Sequence, residues 1–133
     1  MPHGYSDEDW SLMMEAARNI MVHTARRQEW ILYSDLNREV SEDADTVPFD
    51  FSRDTDRAAL GTLLADIVKA DLLHSRFMVS SVVKLSASDG PGDGFYSLAE
   101  NLGHLEAGAS EDRKFEFWVE QLKLTHDHYR RRV

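Results

Sequence analysis

Cysteine is absent from this 133-residue chain, which excludes disulfides, thiolate metal centres and cysteine nucleophiles together. Proline occurs only three times and glycine seven, too few for collagenous or low-complexity character. No apolar run approaches the roughly 20 residues needed to span a bilayer. The opening MPHGYSDEDW is acidic and polar, unlike a signal peptide. Cations are also scarce, with 15 Lys and Arg against 24 Asp and Glu, for a net charge of −9. That balance favours solubility and repels nucleic acid at long range. The expectation is one cytoplasmic domain, residues 1–133, with no membrane contact, no cofactor and no metal.

What is present reads as ordinary globular sequence, 42% apolar and 29% charged. Ser6 followed by Asp7, Glu8 and Asp9 is a helix start. Trp10, Met13, Met14, Ala17, Ile20 and Met21 then recur at helical spacing as far as Arg26 and Arg27. Trp30 to Tyr33 reads as a short strand, and Ser34 as the cap of a brief helix over 35–40. The stretch 41–54 is polar, contains Pro48 and reads as a loop, which Phe49 and Phe51 pin to the core. Acids crowd this region: Asp35, Glu39, Glu42, Asp43, Asp45, Asp50, Asp54 and Asp56 face only Arg38 and Arg53.

A helix over 55–74 follows, with Leu60, Leu63, Leu64, Ile67 and Val68 as its core face. Gly61 within that face suggests close approach of another element. Phe77 to Leu85 alternates with a period of two and reads as a strand. Ser88 to Gly94 reverses the chain through three glycines free to take positive φ, and Phe95 and Tyr96 begin a return strand. A small helix over 98–102 closes at Gly103, and Ser110 caps a last helix over 111–130. Its apolar stripe is Phe115, Trp118, Val119, Leu122 and Tyr129, with Phe117 and Leu124 on another side. The expected fold class is therefore α+β, a winged-helix-like domain with a β-hairpin wing and an added C-terminal helix. Trp10, Ile20, Leu60, Leu64, Ile67, Val83, Phe95 and Trp118 should be buried.

Tyr33-Ser34-Asp35-Leu36, Leu63-Leu64-Ala65-Asp66-Ile67 and Ser80-Ser81-Val82-Val83 form an ordered set of short motifs. Pro91-Gly92-Asp93-Gly94-Phe95, Leu98-Ala99 with Leu102-Gly103, and Phe117-Trp118 continue it. In this set the chain resembles a family of small bacterial proteins over about residues 30 to 120, and that family supplies no activity to carry over. A looser likeness links the Tyr-x-x-Leu turn and the wing to the DNA-binding half of alkyltransferase-like proteins. Their reactive Pro-Cys-His-Arg segment is missing, so their repair chemistry does not transfer.

No catalytic signature emerges. There is no Gly-x-Ser-x-Gly, and the 88–94 tip lacks the helix and lysine of a phosphate loop. Asp89 and Asp93 lack calcium-loop spacing. His126 and His128 point to opposite sides of a helix, while His23, His74 and His104 are scattered. Duplex DNA needs neutralised phosphates, and the would-be recognition helix carries Asp56, Asp66 and Asp71 against Arg57 and Lys69. Arg26, Arg27, Arg76, Lys84 and Arg130 to Arg132 could only supply a basic patch by converging in space. The expected function is a non-enzymatic protein-interaction or regulatory module, with a DNA-binding regulator as the alternative. Its expected contact residues are Arg76 and Lys84 on the wing, Glu42, Asp43 and Asp45 on the acidic loop, and Phe117 and Leu124 for a protein partner or homodimer.

Overall fold

A computed structural model describes residues 4–71 and 77–130. Arg76, His74, Arg131 and Arg132, and the predicted end of the second long helix, lie outside the described residues. Within them, five α-helices pack around one buried cluster, with a two-stranded sheet as a minor element. The mixture is α+β in the loose sense only.

Helix α1 (Asp7–Arg26) starts where expected: the Ser6 hydroxyl accepts the Asp9 amide at 3.1 Å, and three acids occupy the first turn. Beyond its C-cap Arg27, the backbone of Gln28 is left-handed (φ 59°). The Gln28 side chain donates to the carbonyls of Ala25 and His126, both at 2.8 Å, tying the end of α1 to the last helix. Strand β1 (Ile31–Leu32) is short, and helix α2 (Tyr33–Ala44) follows at once. Its cap is therefore Leu32, without a side-chain bond, and not Ser34. The helix also continues one turn beyond the predicted end at 40, so Glu42 and Asp43 lie on helix. Asp45 closes it in the left-handed region (φ 54°), a conformation that aspartate tolerates better than most residues. Beyond it, Asn37 clamps Phe49 through both backbone groups, at 2.8 and 2.9 Å. Phe49 is buried and pins the loop as expected.

Helix α3 (Asp54–Asp71) crosses α1 and is fastened to it by two polar links. The Trp10 indole donates to Asp66 at 3.1 Å, and Arg18 pairs with Asp71 at 2.8 Å. Residues 79–82 form a single 3₁₀ turn, and β2 (Val83–Lys84) pairs in parallel with β1, Ile31 beside Val83 and Leu32 beside Lys84. Helix α4 (Asp93–Asn101) and helix α5 (Glu111–Tyr129) complete the chain. Gly103 ends α4's turn at φ 80°, and Ser110 caps α5 by accepting the Arg113 amide at 3.1 Å.

The β-hairpin wing is therefore overturned: the expected outgoing strand contributes only β2, and Phe95 and Tyr96 lie in α4. Alternation marks a strand only when one face meets water, whereas every residue from Phe77 to Lys84 is buried. The segment threads the core and, beyond its two-residue ladder with β1, takes partners from α5. Gln121 accepts the Met78 amide at 2.8 Å, the Trp118 indole donates to the Ser81 carbonyl at 2.9 Å, and Thr125 meets both Ser81 and Met78. Phe95, Leu98 and Ala99 are buried at helical spacing, and that period governs where the strand reading took Phe95 and Tyr96 alone. None of the three tip glycines has a positive φ, and a Cβ on Gly90 or Gly92 would meet the Trp118 ring or the Tyr33 hydroxyl only at ordinary contact distances, 3.4 and 3.6 Å.

All eight residues named as core from the sequence are buried. The face of α5 is not as expected. Its inward stripe is Phe117, Trp118, Gln121 and Thr125, while Phe115 and Val119 are 59% and 42% exposed.

Candidate functional site

The predicted contact residues among those described differ in exposure. Lys84, expected to reach a partner's surface, is only 8% exposed. Its ammonium lies 4.2 Å from the Trp30 ring centre and 5.7 Å from that of Trp118, and donates to the Ala87 carbonyl at 3.0 Å. Two indole faces and a carbonyl thus replace its water shell, so Lys84 organises the 84–90 bend and is withdrawn from any phosphate. Phe117, expected to meet a partner, is 3% exposed and packs on Phe95 with ring centres 5.9 Å apart. Leu124, two turns further along the same side of α5, is exposed. Glu42, Asp43 and Asp45 are all exposed at the end of α2.

Two concave features remain. The first is a polar groove of about 540 Å³ between α1 and α2, bounded by His23, Arg27, Trp30, Asp35, Arg38, Glu39 and Asp43 among others. Asp35, Glu39 and Asp43 recur every four residues and so form one line along α2. Arg38 reaches Asp35 at 3.6 Å and Glu42 at 3.7 Å, and Arg27 reaches Glu29 at 3.0 Å. Four carboxylates nevertheless face two guanidinium groups there, so the groove keeps a negative surplus beside the half-exposed Trp30 indole.

The second feature is an apolar cleft of about 730 Å³ between α3 and α4, with Leu60, Leu64, Phe95 and Leu98 along its sides. Sequence reasoning missed it and assigned Gly61 to close packing. A Cβ at Gly61 would meet nothing within 4 Å, nor would one at Gly94. Both glycines border open space within the cleft lining. At its margin the Tyr33 hydroxyl accepts the Gly92 amide at 3.1 Å. Burial raises the Tyr33 pKa above its ordinary value, and the Gly92 bond opposes part of that shift. Small residues at intervals of three and four on α3 (Ala58, Gly61, Thr62, Ala65) were the available sequence signal for this recess.

Among the described residues, no three histidine or carboxylate side chains converge to hold a metal ion, and no helix is long and apolar enough to cross a membrane. No family model, curated protein or solved structure matches the chain.

Proposed function

We propose that this protein is a non-enzymatic interaction module of the cytoplasm that holds a basic segment of a partner protein in the α1–α2 groove. The observation that carries this reading is the line Asp35, Glu39 and Asp43, set along one side of a groove whose edge is the Trp30 indole. Carboxylates and an indole together suit Lys and Arg side chains, which pair with the former and stack on the latter. Glu42 and Asp45, beside this line, extend the negative field towards the α2 C-terminus and steer a cationic segment inward. In this reading the order α1, β1, α2, α3, β2 serves as a scaffold for protein contact.

Duplex DNA is the weaker alternative. Helix α3, the presented helix in a DNA reader, carries Asp54, Asp56, Asp66 and Asp71, and its Arg57 is already engaged by Asp54. Lys84 is buried. Phosphate contacts would have to come from elsewhere.

A fifteen-residue Lys/Arg-rich peptide, titrated at low ionic strength with Trp30 fluorescence as readout, tests the proposal. Saturable binding is expected, weakened by salt and by Asp35→Asn, Glu39→Gln and Asp43→Asn combined. Random duplex should give no shift under the same conditions. Peptide binding indifferent to the triple substitution, or tight duplex binding, would refute the reading.

A further inference from the structure

The α3–α4 cleft is a separate feature from the acidic groove, and its chemistry is of the opposite kind. Its volume of about 730 Å³ falls in the range of roughly 300–1,000 Å³ typical of small-molecule sites. Its lining combines apolar side chains with polar ones that include the Tyr33 and Ser80 hydroxyls and the Lys69 ammonium. The Tyr33 hydroxyl already accepts the Gly92 amide, which leaves its own hydrogen for another acceptor. Ser80, only 5% exposed, lines the cleft with its hydroxyl unpartnered among the described residues. Lys69, at the rim, has no carboxylate partner among them, whereas Arg57, the other cation there, is held by Asp54 and the Phe51 carbonyl. Asp93 is the single carboxylate in the lining. It belongs to the first turn of α4, where the helix dipole holds its charge in place.

We infer that this cleft binds a single-chain amphiphile with a carboxylate head, its head at Lys69 and its chain along Leu60, Leu64, Phe95 and Leu98. The Lys69 ammonium, without a carboxylate partner among the described residues, selects a negative head. The apolar walls take the chain, each buried methylene contributing to affinity. From Arg57 to Lys69 the α3 backbone rises about 18 Å, room for a chain of about ten to twelve carbons. Gly61 and Gly94 keep the path clear, since neither projects a side chain into it.

Decanoate and 1-decanol, each below its aggregation limit, serve as probes, with backbone amide NMR shifts of the full chain as readout. Decanoate should produce saturable shifts centred on Gly61 and Gly94. Lys69→Gln should weaken decanoate about fivefold and leave 1-decanol unchanged. Gly61→Leu should abolish the binding of both without lowering the melting temperature, because it fills open space and replaces a poor helix former. Gly94→Leu, entering from α4, provides the same blockade independently. Non-saturable shifts, shifts centred elsewhere, decanoate binding unaltered by Lys69→Gln, or binding that survives both leucine substitutions would each overturn the assignment. The acidic groove takes no part in any of these readouts, so the result is separate from that of the peptide titration.

Discussion

Thr125→Val removes one hydroxyl and preserves shape, and it probes the contact that replaces the expected hairpin. The Thr125 hydroxyl lies 2.8 Å from the Gln121 carbonyl, 3.3 Å from the Met78 carbonyl and 3.0 Å from the Ser81 hydroxyl. With two carbonyls competing for the Thr125 proton, Ser81 must be the donor in the hydroxyl pair. Both side chains are fully buried, so valine at 125 leaves the Ser81 donor without acceptor or water. An orphaned buried donor costs about 1–3 kcal/mol. Urea unfolding, followed by the fluorescence of Trp118 (whose indole donates to the Ser81 carbonyl), should show that loss as a lower midpoint with an unchanged slope. Ser81→Ala in the same background deletes the orphan, so the double variant should lose about 1 kcal/mol less than the two singles together. A Thr125→Val cost under about 0.5 kcal/mol, typical of a surface change, or strict additivity with Ser81→Ala, would refute the account of how α5 holds the 77–84 segment.

Phe117→Ala should cost about 3–5 kcal/mol and leave the mass measured by light scattering unchanged, since the ring lies inside against Phe95. A stable variant with altered association would place it outside. Asn37→Ala, which frees both backbone groups of Phe49, should cost about 1–2 kcal/mol and speed proteolysis in the 45–53 loop; unchanged cleavage would contradict the clamp. All four tyrosines have pKa values raised above 10.0, in each case chiefly by burial, with nearby negative charge adding at Tyr5, Tyr96 and Tyr129. The native state therefore keeps phenolic protons that the unfolded chain releases. This stabilisation is fully present below about pH 10 and is lost as pH rises through the folded values, by at most about 1.4 kcal/mol per pH unit for each retained proton. Urea midpoints measured between about pH 9 and 11 should fall; a flat profile would exclude the effect.

Helices α1 and α5 were legible because their starts are chemical as well as periodic. Ser6 and Ser110 each precede acids, and both accept the amide three residues on. Helix α3 and the eight core residues were legible from apolar spacing alone. The acidic residues at 42 and 43 were read as loop because charge was taken for disorder, yet Arg38 stands one turn from both Asp35 and Glu42 and supports a helix through that stretch. The left-handed Asp45, not Val40, marks its end.

The larger failure joins two misreadings with one cause. Residues 77–84 look like a half-exposed strand, and α5 looks apolar along Phe115 and Val119, only if each element is read by itself. A wholly buried segment with a short ladder needs hydrogen-bond partners from some neighbour. In this chain, Gln121 and Thr125 lie one and two turns beyond Phe117 on α5. A polar pair at helical spacing within an aromatic face is a mark of buried satisfaction. Matching that pair to the Met78–Ser81 stretch would have turned α5 by its observed angle, placed Phe117 inside and Phe115 outside, and removed the wing. With the wing gone, Lys84 lies buried beside Trp30 and Trp118, and the acids of α2 line the α1–α2 groove instead of a loop.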